Sequence, residues 1–99
     1  MVHVAVALLE LHLPAARSLK DKRRVVRSIV EKALARWRVS IAETDFHDLH
    51  QRAQIGIAAV HASPAHLAEL MERLRAQLDE VYEAQVVRWE WEMVEGPRP

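Results

Sequence analysis

The 99-residue chain contains no cysteine, which excludes disulfides, thiolate metal sites and a cysteine nucleophile. It has two Gly and four Pro, so long irregular loops have little to be built from. A lone Gly56 in the interior and a terminal Gly96 make no phosphate-cradling loop. No apolar run approaches the roughly 20 residues needed to span a bilayer. Residues 1–13 carry no basic leader, and Glu10 and His12 interrupt their apolar run, so no secretory signal is expected. Net charge is also absent: 14 Lys and Arg balance 14 Asp and Glu. What is there is a 51% hydrophobic fraction, ample for one core. These figures lead us to expect a soluble cytoplasmic protein with a single domain over residues 1–95 and a frayed tail from Gly96 to Pro99.

The hydrophobic pattern divides the chain into six elements. Residues 2–13 are rich in Val and Leu, alternate from Leu9 to Leu13, and end at Pro14, which predicts a strand. Ser18 then opens a helix, with Asp21 in capping-box position and favourable to the helix dipole. Leu19, Val26, Ile29, Val30, Ala33 and Trp37 define its apolar stripe. A short strand is predicted at 39–44 and a polar connection at 46–51. Another strand follows at 53–61, in which Gly56 points to a close approach or a bulge. Ser63-Pro64 is a helix start, and Leu67, Leu70, Met71, Leu74, Leu78 and Val81 supply the second stripe. In the last strand, 86–94, Val87, Trp89, Trp91 and Met93 are expected to face one way, and Arg88, Glu90 and Glu92 the other. Trp89 and Trp91 read as core or dimer anchors.

The order β-α-β-β-α-β predicts an α+β, ferredoxin-like two-layer sandwich: a four-stranded antiparallel sheet with two helices on one face. Right-handed crossovers place the first and third strands in the centre. Both parities of the first strand are largely apolar, so the second sheet face is expected to be bare. Homodimerisation, cover by the chain's own tail or a loop, and a ligand or peptide groove are the three uses open to it.

Charge is unevenly spread. Residues 17–38 hold nine Lys and Arg against Asp21 and Glu31, and the remainder of the chain is correspondingly acidic. On a helical wheel Lys20, Arg24 and Arg27 fall within about 60° of one another, opposite the apolar stripe. Arg23 lies beside them, Arg17 precedes the helix, and Lys22 points nearer the core edge, from which it could snorkel. Cations at a helix N-terminus oppose the macrodipole, and a local rule broken in this way marks a candidate functional surface. The readings left open are a face solvated or paired with acids such as Glu10, Asp79 or Glu80, a phosphate backbone, and an acidic protein or metabolite. Arg27 has Glu31 as an i,i+4 partner.

The segment LELHLPAARSLKDKRRVVRSIVEKALARWRVSIAE, followed by DLHQRAQIGIAAV, resembles the YlxP-like family of small bacterial proteins over nearly the whole chain. Its most specific parts are Leu11-His12-Leu13-Pro14, Ser18-Leu19-Lys20, Lys22-Arg23, and Glu43, Asp48, Gln51, Arg52 and Ala53. His50 stands where members often carry Trp. The resemblance implies a ferredoxin-like fold and, through genes neighbouring those for translation initiation and ribosome maturation, an association with RNA. It implies no catalytic residue.

RNA recognition motifs share this element order but stack bases on aromatics of the central strands. Here those strands have none, so any RNA is expected to be held by its phosphates. The remaining candidates for chemistry are sparse. His47-Asp48-Leu49-His50 offers two or three ligands with no spacing that completes a tetrahedral set, so no metal is expected. Glu43, Asp48, Gln51 and Arg52 read as a polar network supporting the hairpin. Glu10 and His12 sit one pleat apart, a spacing open to proton transfer and equally to a polar strand end. Ser18 and Ser63 read as caps.

The sequence therefore points to a non-catalytic module with no cofactor and no small-molecule substrate. Structured or ribosomal RNA is the expected partner, bound by Lys20, Arg23, Arg24 and Arg27 with Arg17 and Lys22 at the margin. The alternative is a homodimeric interaction module working through the bare sheet face. A metabolite-binding regulator or enzyme is the third reading.

Overall fold

Alternation along the first strand decides how the layers pack. In a computed structural model that describes all of residues 1–99, the elements are β1 (His3–His12), α1 (Leu19–Arg36), β2 (Ser40–Asp45), β3 (Arg52–His61), α2 (Pro64–Asp79) and β4 (Gln85–Glu95). The strands form one sheet in the order β2-β3-β1-β4, every pairing antiparallel. This is the ferredoxin-like sandwich expected from the pattern, with β1 and β3 in the centre. The α1 helix packs on β2 and β3, and α2 on β1, β3 and β4. No helix is long and apolar enough to cross a membrane.

Ala5, Ala7, Leu9 and Leu11 of β1 face the helices and meet Ile55, Ile57 and Ala59 of β3. Val25, Val26, Ile29 and Ala33 of α1, and Leu67, Leu70, Met71, Leu74 and Leu78 of α2, close the core from above. The small residues at Ala5, Ala7 and Ala33 and the large ones around them interdigitate as native cores do. Trp89, Trp91 and Met93 of β4 are half-buried against the same core, as anchors. Ser18 caps α1 by accepting from Asp21 N–H at 3.0 Å, and Asp21 Oδ2 in turn accepts from Arg17 N–H at 2.9 Å. Ser63 caps α2 by accepting from His66 N–H.

Two bulges depart from simple alternation. On β4 the partner of Glu10 is Arg88 and that of Leu11 is Val86, so Val87 is an extra residue. Val87 is therefore turned outward, and Val86 takes the inward place expected for it. On β2 the extra residue is Thr44, between Glu43 and Asp45. Its methyl leans over Gly56, where an added Cβ would lie 2.9 Å from Thr44 Cγ2. Thr44 Oγ1 donates to Gln54 Oε1 at 2.8 Å, which fixes that orientation. The glycine thus marks both a close approach and a bulge in the neighbouring strand. At the C-terminus, Gly96 N–H donates to Val2 carbonyl at 2.7 Å, which carries the ladder one residue past the expected boundary.

The opposite face of the sheet carries Val4, Val6 and Leu8 of β1, Gly56, Ala58 and Val60 of β3, and Val94 of β4. Nothing in the chain covers it: Val6, Val60 and Val94 are 42%, 66% and 46% exposed.

A candidate nucleic-acid interface

The α1 wheel explains where each cation goes. Lys22 precedes Ile29 by seven residues and Ala33 by eleven, which puts it within about 20° of each and in the middle of the apolar stripe. The sequence reading placed Lys22 at the margin of the RNA-binding face; in the structure its side chain is wholly buried. The ammonium lies 3.0 Å from Glu43 Oε2, an ionic contact outside hydrogen-bond alignment, and donates to the carbonyls of Phe46 at 2.7 Å, Arg52 at 3.3 Å and His47 at 3.4 Å. Four acceptors around one ammonium satisfy a charge that burial would otherwise make very costly. Lys22 is therefore a structural anchor for the β2–β3 connection and cannot reach a surface ligand.

That connection is tightly held. Phe46 has φ of 62°, a left-handed conformation that non-glycine residues adopt at a cost of about 1–3 kcal/mol. Its N–H donates to Asp45 Oδ1 at 2.7 Å, and its carbonyl accepts from Leu49 N–H as well as from Lys22. The Arg52 guanidinium lies over its ring, 4.2 Å from the centroid. Gln51 donates weakly to the carbonyls of Pro14 and Ala16, joining the loop to the segment that leads into α1. The expected network of Glu43, Asp48, Gln51 and Arg52 is thus split. Glu43 and Gln51 brace the loop by separate contacts, Arg52 turns to Glu10, and Asp48 makes no side-chain hydrogen bond or ion pair. Its missing centre was Lys22, hidden in the sequence by the assumption that a Lys in a basic run is on the surface.

Arg24 is exposed but engaged. Its guanidinium grips Glu83, in the α2–β4 connection, through two hydrogen bonds of 2.7 and 3.3 Å. That bond and its charge push Arg24 further up and hold the Glu83 carboxyl below its usual range. None of the acids suggested from sequence plays this part. Glu10 pairs with Arg52 and Arg88 on the far sheet face, Asp79 pairs with Arg75, and Glu80 makes no ion pair. The Arg27–Glu31 pair does not form either.

Arg17, Lys20, Arg23 and Arg27 remain. All four are exposed, and none forms an ion pair. On the wheel Lys20, Arg23 and Arg27 lie within about 60° of each other, on the side turned away from the sheet. Further along, Lys32, Arg36 and Arg38 are also unpaired with any carboxylate; Arg36 lies over the Trp37 ring at 4.8 Å. In all, seven of the nine cations in residues 17–38 have no acidic partner, whereas four of the five elsewhere are paired. The charge surplus seen in the sequence is therefore real at the surface of α1 and its flanking residues.

The other candidates are absorbed by the fold. His12 shares a hydrogen bond with Gln85, and Glu10 is salt-bridged, so the two are not poised toward each other. No group of three or more His, Asp or Glu side chains converges as a metal site, and His47 contacts the Glu43 carbonyl at 3.3 Å.

Comparison with known proteins now adds the family. Residues 4–91 match the family described as "Protein of unknown function (DUF503)". The chain belongs to the DUF503 family. A curated relative, "Uncharacterized protein YlxP" of Bacillus subtilis (strain 168), is 36% identical over 78 residues, spanning 77% of this chain and 85% of that protein. Among solved structures, the "De novo designed protein Foldit4" is similar over 96% of this chain and 99% of its own, with a TM-score of 0.57 at 12% identity, a likeness of fold alone. The YlxP-like resemblance read from the Ser18–Arg23 and Glu43–Ala53 segments is thereby shown.

Proposed function

We propose that this DUF503 protein is a non-catalytic, cytoplasmic module that binds structured RNA, ribosomal RNA included, through the outer face of α1. The observation that carries the reading is the concentration of unpaired cations there, in a molecule that pairs four of its five cations outside residues 17–38. Lys20, Arg23 and Arg27 contact phosphates, and Arg17 adds a further cation where the chain enters the helix. Arg24 contributes field while held by Glu83. The packing of α1 against β2 and β3 holds these cations in a fixed register for phosphate. The bare sheet face carries no aromatic on its central strands, so base stacking has no platform there.

Three phosphate contacts give a slope of log affinity against log salt of about −2 to −3. The test is binding of purified ribosomal RNA across a salt series, with Lys20→Glu/Arg23→Glu/Arg27→Glu beside the wild type. Arg23 replaces Arg24 in this set because reversing Arg24 would also break its Glu83 contact. Salt-steep binding by the wild type and its loss in the variant support the reading; equal binding by both, or none by the wild type, overturns it.

A second reading rests on the uncovered valines of the sheet. The apolar centre formed by Val6, Val60 and Val94 suits a second copy of this chain, packed face to face, as a homodimer.

A further inference from the structure

We propose that the groove at the far end of α1 is a binding site for a nucleoside monophosphate, with the base on its apolar wall and the phosphate on its arginines. The groove holds about 600 Å³ and lies between the end of α1, the end of β3 and the start of α2. That volume is in the range of small-ligand sites. Trp37 and Val60, with the edge of Leu70, supply its apolar surface over the buried Leu67, and Arg36, Arg38 and Arg73 its charge.

Two further observations narrow the ligand. The rings of His61 and His66 both line the groove and are stacked, with centroids 3.9 Å apart and planes 11° from parallel. Ser63 N–H donates to His61 Nδ1 at 2.9 Å, so that nitrogen is an acceptor and the His61 proton is on Nε2. Both histidines are exposed, which leaves the stack open to another flat ring. The second observation is charge. Three guanidiniums face one carboxylate, Glu69, which is held by Arg73 at 2.7 Å. With neutral imidazoles the groove carries a surplus of two positive charges, which matches a phosphate monoester near neutral pH. Guanidiniums are suited to phosphate by their planar, forked donors. A flat apolar body joined to a dianionic phosphate is the chemistry that satisfies wall and rim together. A free nucleotide and the phosphorylated 5′ end of an RNA strand both present it.

Along α1 the groove begins about 14 Å beyond Arg27 and about 24 Å beyond Lys20, and it shares no residue with that row, so either proposal can fail without the other. The experiment is a titration of AMP, adenosine, inorganic phosphate, and 5′-phosphorylated and 5′-hydroxyl hexanucleotides, followed by calorimetry and by amide and indole chemical shifts. AMP is expected to bind and to shift the Trp37 indole, with adenosine and inorganic phosphate each weaker by about tenfold or more. Arg38→Gln and Arg73→Gln, both at exposed positions, are expected to weaken AMP by about tenfold each while the melting temperature is unchanged. Lys20→Glu/Arg23→Glu/Arg27→Glu is expected to bind AMP as the wild type does. Preference for the 5′-phosphorylated strand over AMP assigns the strand end as the source, and preference for AMP assigns the free nucleotide; both uphold the site. No AMP binding, or binding that survives both arginine substitutions, overturns it.

Discussion

Lys22 is the one charged side chain in the core, and its surroundings make a sharp energetic prediction. Lys22→Met leaves the Glu43 carboxylate, 18% exposed, without its partner and removes a donor from three carbonyls. Breaking a buried ion pair from one side destabilises by about 3–5 kcal/mol. Urea denaturation is expected to show that loss, and Lys22→Met/Glu43→Leu to recover part of it; a single-variant loss below about 1 kcal/mol contradicts the anchoring role. Arg24 and Glu83 give a prediction in pH. The Arg24 hydrogen bond, and then its charge, hold the folded-state Glu83 carboxyl below its unfolded value. Whatever stability the pair adds is therefore present above the ordinary carboxylate range and is lost as pH falls through the lowered folded value. An NMR titration of the Glu83 carboxyl is expected to give a midpoint below the usual glutamate range, and Arg24→Gln to move it back up. No movement on substitution would rule the pair out as the cause.

At the scale of elements, the bulge in β2 and the glycine in β3 form one device. A methyl at position 56 meets Thr44 Cγ2, which is held in place by its hydroxyl bond to Gln54. Gly56→Ala is expected to destabilise by about 1–3 kcal/mol, the usual range for overpacking, with Thr44→Ser in the same chain restoring much of it. Thermal melts of the two variants check this, and an unaffected Gly56→Ala would mean that β2 shifts freely at its edge. The bulge in β4 has the opposite consequence for the surface, because it turns Val87 out of the core and adds to the apolar edge.

For the whole molecule, the distribution of charge matters more than its zero sum. The outer face of α1 is basic, while the solvent face of β4 presents Glu90 and Glu92 beside apolar Val6 and Val94. Polyanion binding on one face and self-association on the other are compatible, since the two helices lie on one side of the sheet and the uncovered valines on the other. If the sheet face pairs two copies, sedimentation equilibrium is expected to show a dimer that Val6→Glu converts to monomer without loss of the melting transition. A wild-type monomer at high micromolar concentration excludes that use of the face.

Local pattern alone determined the element order, the two caps and the concentration of cations on α1, because periodicity and capping act over a few residues; the handedness of crossovers, applied to that order, put β1 and β3 in the centre. The β1 alternation showed that both faces were apolar but left open which one the helices cover. That was decided by tertiary packing, as were the two bulges, which depend on cross-strand register. The candidate site was legible to the same depth. Lys20, Arg24 and Arg27 stood out as a surface row with Arg23 beside them, but Arg24 and Glu83 are 59 residues apart and no short-range rule shows that Arg24 is engaged. Lys22 had a signal, its alignment with Ile29 and Ala33, which the charge run around it masked. The groove of Trp37, His61, His66 and Arg73 left no trace in any one segment. It is assembled from the ends of three elements, and only the folding of the chain brings their side chains to one place.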